Sequence, residues 1–297
     1  MIDLKVVEAV ARHGSMNKAA VELNTVQSNV SSRIRSLEDE LGVSLFQRNP
    51  KGVQLTPAGR RVLPYAARLS KLLSDASAAA RDDGTPTGVL EIGTLETTLA
   101  LRLPLLIARF AKAWPDVRPL VRTGTTSSLI QDVVDCKLEG AFVAGPVSHP
   151  ELQTETVFHE ELVLITSHAV RSLDAVRAID HLKTVVFRVG CSYRQRLDAL
   201  LASMGLLVPE PLEFGSIDAI IACVSAGVGI TLLPRGVVVD AWQEGRVAVH
   251  ELPTAFSQVE TVFVRRIDSH FSSALATFLD SVHQENGGRP HNVRQLA

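Results

Sequence analysis

Little in this sequence suits catalysis, a membrane or a disulfide-built scaffold. Its three cysteines, Cys136, Cys191 and Cys223, are odd in number, far apart and set in apolar or mixed surroundings. No CxxC pair or Cys/His ligand spacing accompanies them, so neither a disulfide framework nor a zinc site is encoded, and a reducing compartment is the default. None of the nine histidines has a partner four residues away, and no serine sits in a G-x-S-x-G elbow. Gly227-Val228-Gly229 lies at a helix-to-strand junction, the reverse of a dinucleotide site, and lacks the third glycine. No enzyme, metal or cofactor is therefore expected. No apolar run reaches the ~18 residues of a membrane span, and the N-terminus lacks the charged-then-apolar pattern of a signal peptide. A soluble, cytoplasmic protein is the expectation. A generally basic coat for nucleic acid is missing too, because the net charge is −2.

What charge there is lies unevenly. Residues 1–83 hold 12 Lys+Arg against 9 Asp+Glu, and the remainder 18 against 23. A slightly basic head on an acidic body fits a DNA reader joined to something else. Its phosphate contacts would come from placed cations (Lys18, Arg33, Arg35, Arg48, Lys51) and helix N-termini, doubled by a two-fold dimer. At 297 residues and 46% hydrophobic content the chain can build two or three domains with full cores.

Residues 17–56 organise the head. Val30, Ile34, Leu37 and Leu41 recur with 4-3-4 spacing and lay one apolar stripe along a helix. At about 100° per residue the opposite face carries Ser28, Ser32, Arg35 and Ser36, flanked by Asn29 and Arg33. Hydroxyls, an amide and guanidinium groups on one exposed face suit base edges and phosphates of a DNA major groove. An ordinary amphipathic surface helix is the alternative for this stretch alone. Upstream, Leu4, Val7, Val10 and Ala11 mark a first helix closed by Gly14, and Ser15 caps a second, Asn17 to Leu23, with Ala19, Ala20 and Leu23 inward. Asn24-Thr25-Val26 is a tight turn into the third helix, so the spacing is that of a helix-turn-helix. Arg48 to Gly52 forms a turn with two cations, and Val53-Gln54-Leu55 alternates like a strand of a small wing.

The ordered series Gly14-Ser15, Ala19-Ala20, Leu23-Asn24, Gln27, Val30-Ser31, Ile34, Leu37-Glu38, Leu41-Gly42-Val43, Leu45-Phe46, Arg48, Leu55-Thr56 and Gly59 resembles the LysR-type transcriptional regulators. The family often has Pro after the helix-leading Gln and Arg after the Val-Ser pair; here Ser28 and Ser32 stand there, with arginine at Arg33. The DNA-contacting set expected is Asn17, Lys18, Thr25, Gln27, Ser28, Asn29, Ser31, Ser32, Arg33, Arg35, Arg48 and Lys51.

From Thr56, a cap, and Pro57, a helix starter, a helix runs to about Arg81. Val62, Ala66, Leu69, Leu73, Ala76 and Ala80 form a heptad seam of roughly three repeats, with Pro64 in its first turns bending the helix or costing it one hydrogen bond. Such a narrow seam expects a second copy; packing on its own chain is the alternative. The resemblance makes this segment the linker helix of a homodimer, extending to a homotetramer. Asp82 to Gly88 is a hinge by its breaker content.

Beyond it, strands alternate with helices as in an open α/β sheet. Strands are expected at 89–92, 117–121, 140–144, 161–166, 184–187, 229–233 and 261–265. Helices are expected at 99–113, 129–137, 193–204, 218–226 and 269–284, with a disordered tail after them. Four strand-to-helix junctions are rich in Gly and hydroxyls, at 93–98, 124–128, 190–194 and 215–218. Helix N-termini with hydroxyls at strand ends suit ligands, although plain helix capping explains each junction singly. Arg188 and Arg194 favour a carboxylate effector; Glu96 and Asp218 would repel one if turned inward.

The resemblance implies an α/β, two-lobed effector domain like a periplasmic binding protein, behind an all-α winged helix-turn-helix head. The division expected is 1–59 for the DNA-binding head, 60–87 for linker helix and hinge, and 88–297 for the effector domain. Its lobe I takes about 88–160 and 266–285, and lobe II about 161–265. Candidate ligand contacts are Thr94, Thr97, Thr126, Ser127, Arg188, Ser192, Tyr193, Arg194 and Ser216. The function implied is a DNA-binding regulator of transcription whose partners are double-stranded operator DNA and a small effector, a carboxylate, between the lobes. Two alternatives stay open: a redox-responsive regulator using Cys191, and a ligand-binding protein with a non-functional head.

Overall fold

The computed structural model describes residues 2–49, 52–179, 181–206 and 211–285. Lys51 and the tail beyond residue 285 lie outside the described residues. By its internal contacts the chain separates into residues 1–83 with 135–137, and 84–134 with 138–297.

The first unit opens with α1 (Ile2–His13), α2 (Met16–Glu22) and α3 (Gln27–Leu41). Ser15 caps α2, its Oγ accepting from Lys18 N at 3.4 Å, and Gly42 ends α3 in the left-handed region at φ 67°. Val7, Val10, Ala19, Ala20, Val30 and Ile34 meet in one core. The alanines let α2 lie close over α1 and α3. The stripe along α3 fades at its end, where Leu41 is exposed. A hairpin follows, β1 (Phe46–Asn49) against β2 (Gly52–Leu55), pairing Phe46 with Leu55. Glu38 fastens it to α3, since Oε1 accepts from Leu45 N at 2.6 Å and Phe46 N at 3.0 Å.

The long helix α4 (Pro57–Ala79) starts on the cap Thr56, whose Oγ1 accepts from Gly59 N at 3.0 Å. Its first turns belong to the head: Val62 and Leu63 pack on the helical core, and Ala66 is fully buried. The outward apolar row is instead Tyr65, Leu69 and Leu72, 65%, 44% and 56% exposed. The expected seam is thus rotated at its N-terminal end, because α4 lies along α1 there.

The second unit is α/β. It begins with β3 (Gly88–Thr94), α5 (Glu96–Leu101), α6 (Leu103–Ala113), β4 (Val117–Thr123), α7 (Thr126–Val134) and β5 (Gly140–Ala144). The expected helix over 99–113 is broken at Arg102 (φ −115°), just before Pro104, which brings no N–H to the ladder. Next comes β6 (Leu152–Ser167), a strand of 16 residues of which only the apolar second part, 161–166, was legible. Then follow β7 (Val185–Phe187), α8 (Ser192–Ser203), β8 (Leu212–Phe214), α9 (Ile217–Ser225), β9 (Thr231–Pro234), α10 (Val239–Gln243) and β10 (Val247–His250). The unit closes with α11 (Thr254–Ser257), β11 (Gln258–Arg266) and α12 (Ser273–Glu285).

Seven strands form one sheet in the order β10-β6-β11-β5-β3-β4, with β9 also on β6. The pairs β3–β4 and β3–β5 are parallel, and β11 runs antiparallel to both β5 and β6. Separate from it, β7 and β8 pair in parallel. At the β3–β4 end, α6 and α12 bury Leu90, Ile92, Phe110, Phe142, Phe263 and Phe278, with Phe142 and Phe263 ring centroids 4.9 Å apart. At the other end, Val163, Ile165, Ile220, Val224, Leu233 and Val247 close a second core under α9.

Gly59 gives the head a direct test. A Cβ there would collide with the backbone carbonyl of Leu45, whereas alanine in an unconstrained helix interior gains roughly 0.5–1 kcal/mol over glycine. Gly59→Ala is therefore expected to destabilise the head, by about 1–3 kcal/mol, read as a lower urea midpoint. A stabilised variant would contradict the tight Leu45–Gly59 approach.

Candidate nucleic-acid interface and effector cavity

The polar edge of α3 follows from its register. With Val30 and Ile34 buried, Gln27, Ser28, Ser32, Arg35 and Ser36 must point to solvent, and all five are exposed, as are Asn17 and Lys18 on α2. Thr25, Asn29, Ser31 and Arg33 are half-buried on the flanks and hydrogen-bonded along the helix. Arg33 Nε donates to Asn29 Oδ1 at 3.2 Å, Asn29 Nδ2 to Thr25 Oγ1 at 2.9 Å, and Gln27 Nε2 to Ser31 Oγ at 2.7 Å. These i,i+4 links hold rotamers before anything binds. Arg48 lies in β1, its backbone paired with Val53. Two residues escaped the reading of the sequence: Val21 and Val26 are 77% and 64% exposed beside the turn into α3. An apolar side chain there costs solvation unless a partner covers it. The only available signal was valine where the motif needs no core residue.

In the α/β unit the four junctions come together in pairs. The N-terminus of α7 meets the loop after β7, with Ser127 N and Oγ donating to Gly190 O at 3.3 and 3.4 Å. The N-terminus of α9 meets the start of α5, where Ile217 N donates to Glu96 Oε1 at 3.0 Å. Between the two bridges lies a cavity of about 390 Å³. Its wall includes Leu95, Glu96, Thr97, Thr125, Ser128, Phe187, Arg188, Cys191, Tyr193 and Phe214.

Three expected ligand contacts line this cavity: Thr97, Arg188 and Tyr193. Thr126, Ser127 and Ser192 instead line a neighbouring recess of about 370 Å³. Thr94 is fully buried, its Oγ1 donating to Leu95 O, and so lies in the core rather than in the wall. Arg194 is turned to Glu213, with Nη1 to Oε1 at 2.6 Å, and Ser216 is half-buried outside the wall. Asp218 is exposed and lines neither recess, while Glu96 does turn inward. Glu96, Phe187 and Phe214 are wall residues beyond the expected contacts: Phe187 reads as strand core in the sequence, and nothing there marks Phe214.

Burial governs the two titratable groups in the wall. Tyr193, whose hydroxyl is 3.3 Å from Thr97 Oγ1, is pushed up to about 12 by desolvation. Desolvation also pushes the Cys191 thiol above its ordinary value, outweighing backbone N–H donors and Arg194. A redox sensor needs the opposite, a thiolate at neutral pH. A thiol with a raised folded-state pKa stabilises fully below its unfolded value of about 8.5, and that stability is lost as pH rises through the folded value. The denaturation midpoint is thus expected to fall faster above pH ~8.5 in the parent protein than in Cys191→Ser. Parallel curves would contradict the buried thiol.

A family model described as "Bacterial regulatory helix-turn-helix protein, lysR family" matches residues 1–60, and one described as "LysR substrate binding domain" matches residues 83–287. The HTH-type transcriptional regulator GltR of Bacillus subtilis (strain 168) is 41% identical over 276 residues, covering 93% of each chain. Among solved structures, full-length CbnR complexed with its target DNA gives a TM-score of 0.65 at 24% identity, covering 95% of this chain and 98% of that one. A full-length OxyR variant from Pseudomonas aeruginosa gives 0.71 at 21% identity, covering 99% and 97%. These structural likenesses show the fold. Among the described residues no helix is long and apolar enough to cross a membrane. With a winged helix-turn-helix ahead of an α/β effector-binding unit, matched over nearly its whole length, this chain belongs to the LysR family of transcriptional regulators, a family of DNA-binding proteins and not of enzymes.

Proposed function

We propose that the protein binds operator DNA as a dimer through α3 and that a small molecule in the cavity between two lobes changes how the paired heads grip it. The observation that carries the DNA contact is the exposed edge Gln27, Ser28, Ser32 and Arg35 opposite the buried Val30 and Ile34. Gln and Ser can read base edges and Arg either guanine or phosphate. Val21 and Val26 suit thymine methyl groups. CbnR, of the same fold, is captured with its target DNA. In this reading residues 1–59 are the head, 60–87 the connector and 88–297 the effector domain. Two recognition helices would enter major grooves one helical turn apart, or a multiple. The effector acts only through a difference in affinity between two arrangements of the protein. Arg188, exposed in the cavity wall, supports a carboxylate-bearing effector. The redox alternative loses support from the buried, proton-retaining Cys191.

Gel-shift titration of genomic fragments tests the groove assignment. Ser32→Ala or Arg35→Ala is expected to weaken specific binding by about 1–3 kcal/mol where the side chain meets a base edge. Unchanged affinity in both would remove α3 from the groove.

Dimerisation is assigned to the exposed row on α4. Leu69→Asp with Leu72→Asp is expected to yield a monomer in sedimentation velocity, because an apolar interhelical seam does not tolerate paired carboxylates. An unaltered dimer would place the interface elsewhere.

A further inference from the structure

Two opposite charges face the cavity at the same short stretch of chain. The stretch is Gly215 to Ile217, the entry to α9. Glu96 reaches it from α5, and its Oε1 takes the amide of Ile217 at 3.0 Å. Arg188 reaches it from the end of β7, since a Cβ on Gly215 would lie 3.7 Å from its Nη2. Two residues of chain span at most roughly 7 Å, so the charges flank one end of the cavity. Yet they do not pair with each other, and the Arg188 side chain makes no ion pair or hydrogen bond among the described residues.

That arrangement discriminates by charge. The N-terminus of nine-residue α9, beside the wall, already holds the protein's own carboxylate. A dicarboxylate would face Glu96 with only one arginine in return. A plain monocarboxylate would satisfy Arg188 and leave Glu96 without a cation. A plain amine would do the converse. A ligand carrying both charges a few ångström apart satisfies both and leaves the site neutral. We propose that the effector is a zwitterion, a free amino acid whose carboxylate binds Arg188 and whose ammonium group binds Glu96. Its side chain then lies against the rings of Phe187 and Phe214. This deepens the effector reading given above and rests on it.

The experiment uses the full-length protein. Thermal-shift and calorimetric titrations are run with the twenty amino acids and with the deaminated acid and the decarboxylated amine of each. At least one amino acid is expected to raise the melting temperature and to bind about tenfold or more tighter than both of its single-charge analogues, as loss of a charged hydrogen bond implies. Glu96→Gln keeps a carbonyl oxygen for the Ile217 amide while removing the charge, so the fold and the inter-lobe bond persist. It is expected to erase the preference over the deaminated acid, and Arg188→Met to erase binding of both. The proposal is overturned if no amino acid binds, if single-charge acids bind as tightly, or if Glu96→Gln leaves the preference intact. Genomic-fragment binding is measured on the same preparations. Retained DNA binding with any overturning result defeats the zwitterion alone. Loss of DNA binding in the parent protein defeats the regulator reading instead, and a dicarboxylate that binds the cavity leaves the effector reading standing.

Discussion

One strand carries both halves of the α/β unit. From Leu152 to Glu161, β6 pairs with β11, which in turn pairs with β5. From Leu162 to Ser167 the same strand pairs with β9 and β10. The apolar cores of both halves therefore hang on one continuous hydrogen-bonded backbone, with a register shift at Thr261/Val262 within its pairing to β11. Such a strand resists breaking, because each buried amide must keep a partner. It still allows twist where the pairing shifts. The strand-end junctions of the two halves then face one another, and that opposition creates the cavity.

Within the cavity the chemistry is set by what faces what. Backbone and hydroxyl contacts at Ser127–Gly190 and a charged contact at Glu96–Ile217 span it from opposite sides. The first is two neutral hydrogen bonds and the second a single one, worth little enough to be remade when a ligand arrives. The tyrosine and thiol in the wall stay protonated, so they offer donors and packing rather than reactivity. The head is built on a different principle. Its helices are fixed by small and β-branched core residues, and its outward side chains are tied to one another along α3 rather than to the core.

Periodicity made the helices and the buried strands readable, and its failures are equally physical. The α3 stripe was legible because Val30 and Ile34 repeat with the helix. The first part of β6, Gln153-Thr154-Glu155-Thr156-Val157, carries polar and charged residues on both sides and looks like a loop; only pairing with β11 makes it a strand. Strands β8 and β10 have three and four residues, too few to establish a period of two. The linker seam was rotated because the heptad pattern does not say which neighbour covers Val62. In the cavity, Thr97, Arg188 and Tyr193 were legible as polar groups at strand-to-helix junctions. Glu96 could be noticed but not aimed, since its direction depends on an amide 121 residues away.

In the proposed function a polar edge of α3, presented twice by a dimer, grips duplex DNA. Hydroxyl-radical footprinting of the full-length protein on its best-binding genomic fragment tests it most directly. Two protected patches are expected on one face of the duplex, centred about one helical turn or an integral multiple apart, with affinity falling steeply as salt rises. No protection at moderate ionic strength, or a single patch unaffected by salt, would contradict it.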